Sequence, residues 1–174
     1  FVRHARRILQ ERAVKGQDLS LAKKKLENLL TESQDFTGKL RALWCLYGIG
    51  SMDAKTLVSL LSHKEEHIRL WAIQLLVDHG APEAQVIELF TKMAKTENSG
   101  LVRLYLASAL RKLPLEKRWP LAETLAQSDD LAEDKMFPLL LWYAVEPCVI
   151  KDAKRSIELM TNCKIPKLRQ FIAR

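Results

Sequence analysis

The sequence predicts an all-α fold in which helical hairpins repeat along the chain and stack into a solenoid. The 174 residues contain 30 leucines and 17 alanines but only 17 valines and isoleucines together, which favours helices over strands. Apolar residues recur at the helical spacing i, i+3, i+4, i+7 and i+8 in four segments, whose starts are 28, 34 and 34 residues apart. Glycines and prolines fall between these segments, where turns are needed.

The four segments begin at Leu40, Ile68, Val102 and Met136, and partial copies begin at Val2 and Leu168. Second helices with the same spacing lie between them, and a single hairpin cannot shield its own apolar face, so neighbouring hairpins must stack. We therefore expect one domain over residues 1–174, a right-handed α-solenoid of about five hairpins and a terminal helix. The expected hairpins are 1–34, 36–63, 66–97, 100–128 and 134–162, and the terminal helix is 165–174.

The residues at the ends of the predicted helices agree with these boundaries. Gly80 follows the helix that begins at Ile68, where a left-handed C-cap residue is favoured. Asp53 precedes a leucine-rich helix as its N-cap. Pro138 falls in the first turn of a helix capped by Asp134, where its missing amide proton costs no hydrogen bond. The helical pattern therefore continues through this proline.

An arginine follows the first apolar residue of most repeats, and this start resembles that of HEAT repeats, which belong to the HEAT/armadillo class of α-solenoids. The pattern holds at Arg3, Arg41, Arg69, Arg103 and Arg169 and fails at Met136-Phe137. We expect Arg41, Arg69, Arg103 and Arg169 to be structural, each bridging adjacent hairpins by binding loop carbonyls or acids. A row of arginines that contacts a ligand is the alternative.

Two motifs give a closer resemblance, Arg118-Trp119-Pro120-Leu121-Ala122 and Leu141-Trp142-Tyr143-Ala144-Val145-Glu146-Pro147. From about residue 36 to the end, the chain resembles the helical region of large bacterial proteins of the membrane-bound dehydrogenase, haem-binding type. In that family the helical region lies between a β-propeller and a cytochrome c-type segment, and the proteins are exported. The resemblance implies an excerpt of a multidomain oxidoreductase, exported or periplasmic, in which this segment is a scaffold.

The cysteines do not match a haem site. A c-type haem needs C-x-x-C-H, and Cys45, Cys148 and Cys163 lie far apart without that context. The resemblance therefore implies that any c-type haem is bound elsewhere in the longer protein. We expect no cofactor and no catalysis in this segment, and three ordinary semi-buried thiols.

Two further groups of residues match metal-site patterns only in part. His63-Lys64-Glu65-Glu66-His67 spells H-x-x-E-H, but the predicted turn between two repeats separates the histidines, and a zinc site needs both on one helix. The acidic residues Asp129, Asp130, Glu133 and Asp134 lack the alternating order of a calcium loop. We expect solvated loops and helix capping rather than metal sites.

The basic residues are concentrated at the start of the chain. The net charge is +7, and residues 1–25 hold eight basic and two acidic side chains, whereas the other 149 residues hold 20 and 19. The candidate interaction surface consists of Arg3, Arg6, Arg7, Lys23, Lys24 and Lys25. We expect its partner to be protein, a neighbouring domain of the same chain or another acidic protein.

Nucleic-acid binding through phosphate contacts is the alternative function for this basic surface. It is disfavoured because a groove built from several repeats should be basic along its length. No stretch approaches eighteen apolar residues without a charge, so the sequence predicts no membrane-spanning segment. The predicted function is a non-catalytic helical-repeat scaffold or protein-interaction domain.

Overall fold

The computed structural model describes residues 2–174, which form α-helices and short 3₁₀ turns and contain no strand. This confirms the predicted all-α class. The α-helices are α1 (Val2–Val14), α2 (Ser20–Glu32), α3 (Phe36–Gly48), α4 (Ala54–Leu60), α5 (Glu66–Leu76), α6 (Ala84–Thr96), α7 (Gly100–Ala109), α8 (Trp119–Leu125), α9 (Phe137–Val149), α10 (Ala153–Asn162) and α11 (Pro166–Ile172). Among them, no helix is long and apolar enough to cross a membrane.

The chain divides into two compact units, Phe1–Ile68 and Arg69–Arg174. In the first unit, α1 and α2 both pack against α3, whose Ala42, Leu43 and Leu46 are completely buried. Burying each leucine contributes roughly 2 kcal/mol, so α3 is the main source of hydrophobic stabilisation in this unit. The single domain and its five hairpins remain a prediction.

A buried lysine closes the corner between α2 and α3. The Asp35 side chain caps α3 by accepting the backbone N–H groups of Thr37 and Gly38. One turn later, Lys39 is only 6% exposed, and its Nζ donates to the carbonyl oxygens of Leu30 and Thr31, both at 2.9 Å. These carbonyls lie in the last turn of α2 and have no partner within that helix. Lys39 therefore caps α2 from within the core.

In the second unit, equivalent helices of successive repeats pack against each other. The first helices of successive repeats pack together, α7 against α9 and α9 against α11. The second helices of successive repeats do the same, α6 against α8. The completely buried side chains Phe90, Leu106, Leu121 and Leu141 lie on α6, α7, α8 and α9 respectively. Each helix thus presents its apolar face to the next repeat, as repeat packing requires.

The fourth repeat lies one residue later than its predicted position. The sequence pattern placed Met136 and Tyr143 in the core, but they are 53% and 51% exposed. Phe137, Leu141 and Val145 are buried instead. Asp134 accepts the amides of Met136 and Phe137, so α9 begins at Phe137 and its buried face is rotated by one position. Pro138 falls in the first turn, as predicted.

Candidate protein-binding surface

Helix α1 lies on the surface of the first unit, and none of its described residues is buried. A turn at Gly16, where φ is +67°, leads to α2. The Asp18 carboxylate accepts the Ser20 backbone amide at 2.9 Å and the Ser20 hydroxyl at 3.1 Å, and these hydrogen bonds lower the pKa of Asp18. A charged carboxylate is thus held at the start of α2, where its negative charge interacts favourably with the helix dipole.

Five of the six predicted surface cations are exposed on α1 and α2, namely Arg3, Arg7, Lys23, Lys24 and Lys25. Arg7 pairs with Glu11 at 3.3 Å and Lys23 with Glu27 at 3.9 Å, each one turn along the same helix. Pairs of this kind on exposed helix faces contribute only about 0.3–0.5 kcal/mol, so these cations remain available to a partner. We name these five residues the N-terminal basic surface.

Arg6, the sixth predicted cation, lies in the packing between α1 and α3. It is half-buried, and its guanidinium lies 5.9 Å from the ring centroid of Trp44. A cation over an aromatic face at this distance stabilises helix docking by about 0.5–1 kcal/mol. Arg6 therefore fixes α1 against α3 rather than adding to the exposed charge.

Two of the repeat arginines bind acids at the same place in successive repeats. Arg69 on α5 donates to both carboxylate oxygens of Glu97 at 2.8 and 2.7 Å, just after α6. Arg103 on α7 donates to both oxygens of Asp130, in the loop between α8 and α9. Each ion pair joins the first helix of one repeat to the loop that precedes the first helix of the next repeat. Both contacts bridge an arginine to an acid, and a structural role for the row of repeat arginines stays a prediction.

The other two repeat arginines are placed differently. Arg41 and Arg169 are exposed and form no ion pair within residues 2–174. The loop after α4 begins with Leu61, Ser62 and His63, and its one acid, Glu65, forms no ion pair with Arg41. Whether Arg41 and Arg169 serve a structural role remains a prediction.

Two further arginines, which the sequence patterns did not indicate, join elements of the second unit. Arg118 donates to the carbonyl oxygens of Leu113, Arg111 and Ala144 at 2.9, 3.1 and 2.7 Å, which ties α9 to the preceding turn. Arg155 on α10 pairs with Glu123 on α8 and lies 5.4 Å above the Trp119 ring. The motif that begins Arg118-Trp119 was recognised as distinctive, but its spacing alone gave no information about these carbonyl partners.

The second unit carries two open grooves of mixed charge. One, of about 680 Å³, lies between α8 and α10 and is lined by Glu123, Gln127, Asp152, Lys154, Arg155, Glu158, Leu159 and Asn162. The other, of about 850 Å³, lies near the ends of α6 and α8 and includes Arg103 and Asp130. Both grooves contain acidic and basic side chains, and some of these pair with each other, as Arg155 does with Glu123 and Arg103 does with Asp130.

The residues with reactive or metal-binding side chains are held in structural roles. Burial raises the pKa values of Cys45, Cys148 and Cys163, so these buried thiols are protonated at neutral pH and are poor nucleophiles. His63 lies before α5, and its Nδ1 accepts the Glu65 amide at 3.0 Å. Burial and the nearby Lys39 lower its pKa. His63 and His67 therefore do not share the helix that their zinc pattern requires.

A second basic region, missed in the sequence analysis, lies at the end of the chain. Residues 150–174 hold seven basic and two acidic side chains, whereas residues 26–149 hold 13 and 17. The chain is therefore basic at both ends and acidic between them. When the charges of the 149 residues after position 25 are summed, the acids of residues 26–149 cancel the bases of residues 150–174, so the sum does not show the second basic region.

Comparison with known proteins identifies the repeat. A family model described as HEAT repeats matches residues 24–111, which is half of the chain. No curated protein and no solved structure matches the sequence. The matched range covers α3 to α7 and includes the arginine positions 41, 69 and 103 that suggested such repeats. From the matched family model and the all-helical fold, the chain belongs to the HEAT repeat family.

Proposed function

We propose that this chain is a non-catalytic HEAT repeat scaffold that docks an acidic protein through its N-terminal basic surface. HEAT repeats commonly mediate protein interactions, because stacked hairpins present long, rigid surfaces. The observation that carries the proposal is the exposure of Arg3, Arg7, Lys23, Lys24 and Lys25 on two helices, of which α1 has no buried residue among those described.

Electrostatics determines what kind of partner this surface fits. Residues 1–25 carry a net charge of +6, and within residues 2–174 the acid partners of the surface are Glu11 and Glu27 on the same helices. An acidic protein face would be steered towards these charges over about one Debye length, roughly 8 Å at physiological salt. Exposed Val14 and Leu21, which are 89% and 67% exposed, would add apolar contacts between the charges.

The type of longer protein to which this segment belongs is a more specific part of the same proposal. The resemblance to exported, haem-binding dehydrogenase-type proteins supports a role in which this segment holds two active domains at a fixed separation. On that reading the acidic partner is a neighbouring domain of the same chain or an electron-transfer protein. The redox chemistry would belong to those partners, since the thiols of this segment are buried and protonated.

The experiment compares two variants with the same loss of charge. R3Q/R7Q/K24Q/K25Q removes four of the five cations of the surface, and K55Q/K92Q/K112Q/K117Q removes four exposed lysines elsewhere. Binding of a fluorescent hexaglutamate peptide is measured at about 50 mM and about 200 mM salt. We expect the first variant to bind about tenfold more weakly, since four exposed pairs of about 0.4 kcal/mol each sum to that factor.

The matched control and a nucleic-acid probe make the result decisive. The control variant should bind within about twofold of the wild type, because its four exposed lysines lie outside the N-terminal basic surface. Equal weakening of both variants would mean that only net charge matters, and would overturn the proposal. Tighter binding of duplex DNA than of the peptide, lost in the first variant, would replace the protein partner with nucleic acid.

A further inference from the structure

The second basic region of the chain is presented on helix α11 and the residues just before it. Residues 159–174 include four basic side chains and no acidic one. Lys164, Lys167 and Arg169 are exposed, and none of them forms an ion pair with any residue from 2 to 174. We name these three residues the α11 basic surface. Unlike Arg7 and Lys23 at the other end, they have no acid one helical turn away.

The backbone beneath these cations is firmly fixed. Ile165 and Leu168 are 0% and 1% exposed, and the Phe171 ring lies 5.8 Å from that of Trp142 on α9. The Lys164 amide donates to the Ala126 carbonyl at 2.9 Å, which joins this segment to the end of α8. A partner that binds here would not have to order the backbone, so less of the contact energy would be lost.

We infer that the α11 basic surface is a second docking site, and that it takes an acidic protein segment. It is separate from the proposed function, since it uses other residues in the other compact unit. Three uncompensated cations on α11 and just before it attract carboxylates. A second copy of this chain is disfavoured as the occupant, because each copy carries a net charge of +7.

The surroundings favour protein over a polyphosphate. The Gln127 side chain donates to the Asn162 carbonyl at 2.8 Å, so the segment that leads to Asp129, Asp130, Glu133 and Asp134 starts beside the basic one. A nucleic-acid backbone carries the same charge along its whole length and would be repelled by these acids. A protein segment can place carboxylates on α11 and donors beside the acids.

The test counts binding sites by calorimetry with the hexaglutamate peptide. The wild type should bind two peptides per chain, and both K164Q/K167Q/R169Q and R3Q/R7Q/K24Q/K25Q should bind one. The matched control K92Q/K112Q/K117Q should still bind two, and unfolding curves of all variants verify that they fold. Because each surface has its own variant, a failure of either proposal is seen separately.

Three outcomes would overturn the inference. The first is a single site in the wild type that disappears only in the N-terminal variant. The second is a control that loses a site together with K164Q/K167Q/R169Q, because the effect would then follow net charge alone. The third is duplex DNA that binds the wild type more tightly than the peptide does and loses affinity in K164Q/K167Q/R169Q.

Discussion

At the scale of single residues, arginines stabilise this chain by binding fixed acceptors in the next loop or helix. Arg69 holds the carboxylate of Glu97 in a partly buried, two-point contact, and Arg103 holds Asp130 in the same way one repeat later. The planar guanidinium matches a carboxylate with two parallel hydrogen bonds, which a lysine cannot do. The value of each arginine therefore depends on whether its loop supplies an acid.

Replacing Arg69 by alanine should lower the free energy of unfolding by about 2 kcal/mol. The change leaves the Glu97 side chain, which is only 6% exposed, without its counter-charge. Arg41→Ala is the matched control, because this arginine occupies the same repeat position but is exposed. Urea unfolding should show a change of less than about 0.5 kcal/mol for the control. Equal effects of the two substitutions would contradict the pairing.

The same pair predicts an acid-dependent loss of stability. Burial of Glu97 by itself would raise its pKa, but hydrogen bonds from Arg69 and the Ser99 amide outweigh burial and hold it below the usual value. A depressed pKa stabilises the fold above the ordinary glutamate value of about 4.3, and this stability is lost as the pH falls through the folded pKa. In denaturant titrations, the stability difference between wild type and Glu97→Gln should shrink from pH 6 to pH 3. A constant difference would show that Glu97 keeps an ordinary pKa.

At the scale of helices, the corner between α2 and α3 depends on a lysine placed inside the core. Lys39 is the one residue of its type that is buried among those described, and its ammonium binds two carbonyls at the end of α2. A lysine in an apolar helix pattern normally predicts an exposed position. The corner therefore shows how a helix end that lacks a capping residue can be closed by a side chain from the next helix.

Replacing Lys39 by methionine keeps the length of the side chain but removes the donor. We expect a loss of about 1–3 kcal/mol, since the Leu30 and Thr31 carbonyls would lose their partner in a buried position. Lys55→Met on the exposed face of α4 should change stability by less than about 0.5 kcal/mol. Wild-type stability of Lys39→Met in urea would show that water replaces the cap without cost.

The rotated face of α9 can be tested in the same way. Leu141→Ala should lower the free energy of unfolding by about 2–5 kcal/mol, because Leu141 is completely buried and its loss leaves a cavity. Tyr143→Ala should lower it by less than about 1 kcal/mol, because half of that side chain is already in water. If Tyr143→Ala destabilised the protein more than Leu141→Ala in thermal or urea unfolding, the predicted core frame beginning at Met136 would be correct and the rotation of α9 would be wrong.

At the scale of the whole molecule, composition and periodicity were sufficient to predict the helical repeat class. The spacing from Leu40 to Val102 placed Leu43, Ile68 and Leu106 in the core, as the structure has them. In the same frame, Tyr47 and Trp71 are only partly buried and Gly48 is exposed. The fourth repeat was placed one residue early because Met136 and Phe137 are both apolar. Periodicity alone cannot choose between adjacent apolar residues when the cap decides where the helix begins.

The candidate surface was only partly predictable. Net charge identified the cations of α1 and α2, but it could not show that Arg6 lies over Trp44, because that contact depends on tertiary packing. The α11 basic surface was missed because acids in the middle of the chain balanced it in the sum. Counting charge in segments instead of over 149 residues would have revealed it. The acid partners of Arg69 and Arg103 lie 28 and 27 residues away, beyond the reach of local patterns.

The most direct test of the central claim is backbone amide NMR of the chain titrated with the hexaglutamate peptide. The account predicts salt-sensitive shifts of the amides of α1 and α2, with those of Arg3, Arg7 and Lys23 to Lys25 among the largest. A separate group of shifts around Lys164 to Arg169 is predicted only by the second docking site. Shifts confined to the grooves between α6, α8 and α10, with none in α1 or α2, would contradict the claim that this HEAT repeat chain docks acidic partners through its N-terminal basic surface.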